Sequence, residues 1–223
     1  MNRNFYPFIF FTVFQVIPAF SQNLEWAYSF PNPTPLESIT AISTNASNRL
    51  AIIGTGNQGI SLDPINLSSS FNSPGNFVAA FNENAAVQWV NPTVGNAFGV
   101  KLATDGSVYI VGSFRGSQDF DPGAGSSLLT AAAGNETYLQ KFNSDGSFAW
   151  ALQAAVDGNP TKIELLSDGR VVVAGRSDVS ATVTLGNSST VSLDKGFYLL
   201  VMGKLNRHSR QTREPTTNEI DSS

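Results

Sequence analysis

The sequence predicts an all-β protein made of repeated antiparallel sheets. Three observations predict it. Trp26, Trp89 and Trp150 recur 63 and 61 residues apart. Three short β-branched runs, each ending in glycine, recur at residues 50–54, 108–112 and 171–175. No window carries sustained helical periodicity with capping residues. Self-similarity at a fixed period marks an architecture whose units cannot bury their own faces and must stack. A period near 61 residues with one four-stranded sheet per repeat points to β-propeller-type blades.

The order of elements begins with an address. Asn2 and Arg3 precede an apolar run from Phe5 to Phe20, and Ala19-Phe20-Ser21 is a small-x-small triplet. A basic start, an apolar core and such a triplet read as a secretory signal peptide over residues 1–21, cleaved near Ser21. The run is shorter than the roughly 20 residues a spanning helix needs. The reading therefore places the mature chain outside the cell or at its surface, or in a periplasm, with no membrane span. No cysteine follows to carry a lipid.

The repeats come next, over residues 22–206. The stretch 77–89 lies over 138–150 without a gap, with Phe81-Asn82 on Phe142-Asn143. Blades are expected at about 28–89, 90–150 and 151–206. Asp105-Gly106 and Asp168-Gly169 precede two of the glycine-ended runs, and Asp145-Gly146 lies between Phe142 and Phe148. Asp-Gly between apolar runs predicts type I′ hairpins with positive φ at both residues. The unalternating glycine-ended runs predict strands buried on both faces. Ser147-Phe148-Ala149-Trp150 alternates, which predicts one wet face.

The regularity stops after Asn206. Phe148 and Trp150 should recur near 211 and 213, where Gln211 and Arg213 stand. Residues 207–223 hold one large apolar residue, Ile220, and predict a disordered polar tail. The third blade thus lacks a Trp strand, and residues 23–27 (Asn-Leu-Glu-Trp-Ala) offer a closing one. Three blade equivalents fall short of the four a ring requires, so the ring is expected to be incomplete or to close by oligomerising.

Composition excludes most chemistries. The chain has no cysteine and one histidine, His208, in the tail. Thiolate catalysis, cysteine-ligated zinc, histidine-pair metal sites and a Ser-His-Asp triad are thereby set aside. A net charge of −4 without a basic face argues against nucleic acid. GTGNQG, with Gly54, Gly56 and Gly59, precedes Asp63-Pro64 rather than a helix, so it is no dinucleotide loop.

The best candidate site is Asp119-Phe120-Asp121-Pro122-Gly123. On an extended segment Asp119 and Asp121 point to one side and could hold Ca²⁺. The plainer reading is a strand-ending turn whose carboxylates accept backbone N–H bonds. Asp121 with Glu136 or Glu164 would be the pair for glycoside hydrolysis. Arg115 and Lys141 are expected as ion-pair partners of the aspartates. The three tryptophans read as inter-blade packing rather than a sugar platform.

The stretch 105–130, DGSVYIVGSFRGSQDFDPGAGSSLLT, followed by YLQKFNSDGSFAW to Trp150, resembles the SBBP-type bacterial β-propeller repeat. The first repeat keeps Leu62-Asp63-Pro64, Phe81-Asn82 and Trp89. The third keeps Asp168-Gly169, Gly175 and Lys204-Leu205-Asn206 but lacks Asp-Pro. The resemblance implies propeller blades in an exported bacterial protein and implies no activity. The expected function is a non-catalytic binding or structural scaffold, with surface polysaccharide or another exported protein as partner through loops 68–76 and 123–135. A carboxylate-dependent carbohydrate enzyme and a Ca²⁺-stabilised adhesin are the alternatives.

Overall fold

The computed structural model describes residues 38–56, 60–61, 70–71, 75–132, 134–184 and 190–203. The leader expected at 1–21, the closing strand expected at 23–27 and the polar tail expected at 207–223 lie outside them. The described residues are all β, with antiparallel pairing throughout and no helix able to cross a membrane.

The first array has the order β1-β2-β5-β6, from β1 (Ser38–Thr44), β2 (Leu50–Gly56), β5 (Gly75–Phe81) and β6 (Val87–Thr93). A short hairpin, β3 (Ile60–Ser61) with β4 (Ser70–Phe71), is inserted between β2 and β5. The second array follows from β7 (Asn96–Leu102), β8 (Val108–Phe114), β11 (Glu136–Phe142) and the first half of β12 (Phe148–Leu165). Its inserted hairpin is β9 (Ser117–Asp119) with β10 (Leu128–Thr130). The third array takes the second half of β12, then β13 (Val171–Ser177) and β16 (Gly196–Met202). Between the last two lies β14 (Ala181–Thr184) with β15 (Thr190–Leu193). Because β12 serves two arrays, they join in one six-stranded order, β16-β13-β12-β11-β8-β7. The boundaries expected at Trp89 and Trp150 fall inside β6 and β12.

The arrays stack face to face. Ala51, Ile53, Val78 and Ala80 of the first meet Val108, Ile110, Tyr138 and Phe142 of the second in one core. The opposite face of the second, Val111 and Leu139, meets Ile163, Val171, Val173 and Tyr198 of the third. The strands beginning each array lie side by side, β1 against β7 and β7 against β12.

A glycine and an aromatic ring recur at the same place in each array. Gly54 stands opposite Phe77, Gly112 opposite Tyr138 and Gly175 opposite Tyr198. A Cβ on Gly112 would strike the Asn96 carbonyl and lie 2.6 Å from the Tyr138 ring. One on Gly175 would lie 2.5 Å from the Tyr198 ring. Only a residue without a side chain lets the ring lie across the strand. The strand preceding each glycine carries a bulge, at Ile39/Ala41, Ala97/Gly99 and Pro160/Lys162.

The hairpins correct the turn expectation. Five tight loops among the described residues, 45–49, 82–86, 103–107, 143–147 and 166–170, close with the same two backbone bonds. Each puts only its fourth residue at positive φ: Asn48, Ala85, Gly106, Gly146 and Gly169. Asp105, Asp145 and Asp168 keep negative φ, so these are three-residue G1-bulge loops, not type I′ turns. The cause is the carboxylate. Each Asp accepts the N–H two residues on, from Ser107 (2.9 Å), Ser147 (2.9 Å) and Arg170 (3.0 Å), which holds the turn. Where the fourth residue is not glycine, an Asn at the first position takes over. Asn45 accepts from Ser47 and Arg49, and Asn82 from Asn84 and Ala86. The expected alternation after Ser147 is also broken: Phe148, Ala149 and Trp150 are all half-buried, because a register shift at Lys141/Phe142 leaves Ala149 as an extra residue.

Candidate functional site

The Asp-Phe-Asp-Pro-Gly segment ends β9 and is anchored by its middle residue. Phe120 is buried, with its ring 5.2 Å from Phe114 and 4.8 Å from Tyr138. Its carbonyl accepts from Gln140 Nε2 at 2.7 Å. The carboxylates on either side fold the loop on itself. Asp119 Oδ1 accepts the N–H groups of Ser127 (2.8 Å) and Asp121 (3.1 Å), and Asp121 Oδ1 accepts that of Gly123 (2.8 Å). The Ser127 bond, then the Asp121 bond, then the Ser126 hydroxyl hold the Asp119 carboxyl below its ordinary range. Gly125 lies flush against the other oxygen of Asp121. Two carboxylates already spent on backbone N–H groups are a poor start for the six to eight oxygens Ca²⁺ takes. No cluster of three or more acidic or histidine side chains exists among the described residues. The arrangement is that of the strand-ending turn.

The expected cations go elsewhere. Lys141 Nζ lies 5.1 Å over the Tyr109 ring, and Arg115 Nε donates to Asn135 Oδ1 at 2.6 Å. Neither pairs with Asp119 or Asp121, because Lys141 sits on the opposite face of β11 from Gln140, the residue that reaches the loop.

The three carboxylates of the hydrolase reading each have separate partners among the described residues. Glu136 is buried, accepting from Ala132 N–H at 2.7 Å and from Gln153. Glu164 pairs with Lys101 at 2.5 Å. Glu136 stands opposite Asp157, seven residues along β12 from Glu164, a path of about 20 Å at a strand's rise. Asp121 is half-buried on its loop and accepts the Gly123 N–H.

Two cavities were not foreseen. One, of about 520 Å³, lies where the starting strands converge, lined by Thr40, Phe98, Thr161, Lys101, Lys162 and Glu164. Three of these, Thr40, Phe98 and Thr161, are the extra residues of the bulges, so the bulge re-aims one side chain per array into the groove. The other, also about 520 Å³, opens between the second and third arrays. Trp150, Tyr109, Lys101, Lys141 and Asp105 line it, with Met202 on the far wall. Tyr109 and Trp150 meet edge to face at 6.0 Å. Aromatic rings flanked by two cations and a carboxylate suit a polyhydroxylated ligand with acidic groups.

Trp150 packs against the core shared by the second and third arrays, as Trp89 does against that of the first and second. Trp89 Nε1 donates to Ser144 O at 3.1 Å, its ring lies 5.7 Å from Phe142, and Gly146 rests against its face. It packs between arrays, as the repeat spacing predicts. No family model matches this chain, and no curated protein matches it.

Proposed function

We propose that the chain is an exported, non-catalytic scaffold of propeller-type blades of the SBBP kind, which binds polysaccharide at the cleft beside Trp150. The carrying observation is the three-fold recurrence of one design, the glycine under an aromatic ring, in arrays that share their cores. Stacked sheets with one inserted hairpin each, whose starting strands converge on a groove, agree with blades set around an axis. The basic start and apolar run read as a leader at 1–21 support export. The cleft supports a polysaccharide with acidic groups: flat rings for sugar faces and Lys141 for a carboxylate, Lys101 being held by Glu164.

A glycan array on the purified protein tests the reading. Binding to acidic glycans, weakened at least tenfold by Lys141→Ala with the melting temperature kept, is the expected result. No retention on any glycan overturns the ligand assignment. Glycan turnover abolished by Asp121→Asn overturns the non-catalytic assignment, and a melting midpoint that falls with chelator favours the Ca²⁺-stabilised adhesin.

A further inference from the structure

The two cavities share a wall. Lys101 lines both the cleft beside Trp150 and the groove where the starting strands converge. Its ammonium bonds Glu164, which lines the groove, at 2.5 Å. This ion pair stands at the border between the two.

The floor of the cleft leads to that border in one row. Trp150 stands opposite Lys141, Lys141 opposite Tyr109, and Tyr109 opposite Lys101. Residues directly opposed on neighbouring strands share a face, so the four side chains cross β12, β11, β8 and β7 side by side. Ring and cation alternate along the row, over about 14 Å at the spacing of strands in a sheet.

Past the ion pair, the groove continues the same chemistry. Lys162 lies two residues before Glu164 on β12, on the same face of the strand. The bulges bring in Thr40, Phe98 and Thr161, which are two hydroxyls and a ring. The Thr161 hydroxyl donates to the Ala174 carbonyl at 3.3 Å and is left to accept. A bulge re-aims a side chain, and here all three arrays spend one at the same place. Hydroxyls, a ring and an ammonium in a groove suit sugar hydroxyls, a sugar face and an acidic group.

The charges along this path are spaced. Lys141, in the cleft, and Lys162, in the groove, have no ion pair among the described residues. Between them, Lys101 is neutralised by Glu164. A chain with a carboxylate on every sugar would set one of them against the Glu164 carboxylate, whereas a neutral sugar meets a donor and an acceptor there.

We propose that the cleft and the groove form one continuous track for a glycan chain whose acidic sugars are separated by neutral ones, with acids at Lys141 and Lys162 and a neutral unit over the Lys101–Glu164 pair. The track rests on the polysaccharide reading of the Trp150 cleft and adds the groove to it as a second subsite.

Calorimetric titration of the purified protein with hyaluronan fragments, in which glucuronate alternates with N-acetylglucosamine, tests the track. A fragment of ten sugars is expected to bind at least tenfold tighter than one of two, which carries a single carboxylate and engages one ammonium. Lys162→Gln should cut that ratio at least fivefold and Lys162→Arg should keep it. Lys162 is exposed, and both variants should keep the melting temperature. A ten-sugar galacturonate, acidic at every unit, should bind more weakly than the ten-sugar hyaluronan. A two-sugar fragment that binds with no gain from length overturns the track, as does a gain that survives Lys162→Gln or a galacturonate that binds as tightly. Failure of both hyaluronan fragments also overturns it, and the polysaccharide reading falls as well only when the glycan array is blank.

Discussion

The two junctions between arrays are fastened differently. At the first, side chains reach across and grip backbone: Trp89 to Ser144 O, Asn91 to Gly146 O at 2.7 Å, Asn45 to Ala103 O at 3.0 Å, and Ser43 Oγ accepting from Leu102 N–H at 3.0 Å. Only Val94 and Gly95 link the strands of the two arrays. At the second, β12 itself passes from one array into the next. Side-chain bonds among the described residues there join Tyr198 with Thr137 at 3.0 Å, Ser113 with Asn159 at 3.3 Å, Ser177 with the Asp157 carbonyl at 2.5 Å and Lys101 with Glu164. The outer rim, filled by Trp89 and Phe142 at the first junction, is open beside Trp150 at the second. A stack held by a shared strand tolerates a cleft that a stack held by side-chain clips does not.

The largest expected effect breaks the first junction. Gly146 has φ +84°, and a Cβ there would lie 2.6 Å from Trp89 Cγ. Gly146→Ala should destabilise the chain by about 3 kcal/mol, from left-handed strain plus displacement of the indole, read by denaturant melts. A loss under about 1 kcal/mol would mean that Trp89 is not the clip.

Equivalent tyrosines sharpen the comparison. Tyr138 is buried with its hydroxyl unpartnered among the described residues, and burial pushes its phenol pKa upward. Tyr198 also has a raised phenol pKa, from burial, which the Thr137 hydrogen bond partly offsets. Tyr198→Phe should therefore cost about 1 kcal/mol, because it leaves the Thr137 hydroxyl unpaired. Tyr138→Phe should be neutral or stabilising by up to about 1 kcal/mol, as Phe77 already shows at the same place in the first array. Opposite signs in matched thermal melts are the expected outcome.

Much of this was legible in the residues. The glycine-ended runs became β2, β8 and β13, and the tryptophan spacing located β6 and β12. The hairpins at 45–49 and 82–86 were harder to see, because Asn45 and Asn82 do with one amide oxygen what Asp-Gly does elsewhere. Ala85 at φ 58° could not be foreseen from propensity, since alanine rarely adopts it. Of the site, the turn reading of Asp119 and Asp121 was legible from their spacing to Gly123. The Trp150 cleft was not, because it depends on how two arrays meet rather than on any local pattern.

Smaller effects follow from charge. Asp145 is held below its ordinary 3.8, first by the Ser147 hydroxyl and then by the Ser147 N–H, and Asp168 first by the Arg170 N–H. With Asp119, these groups bind fewer protons folded than unfolded. Their contribution is complete above the ordinary carboxylate value and is lost as the pH falls through each lowered folded value. Ser147→Ala should raise the Asp145 value in a carboxyl NMR titration and leave Asp168 unmoved. The smallest change is expected from Glu164→Gln, at about 0.5 kcal/mol, since its exposed pair with Lys101 is screened by solvent. A loss of several kcal/mol would assign the second junction to that pair instead of to the shared strand.

The eighteen residues of β12 also set how the molecule comes apart. The first half of β12 bonds β11 and the second half bonds β13 through alternate amides, so those bonded amides should exchange with deuterium more slowly than their neighbours and as one block. The strands of the first array, tethered through Val94 and Gly95, are free to open earlier and alone. Unfolding would then run in two steps, the amino-terminal sheet peeling off before the rest lets go.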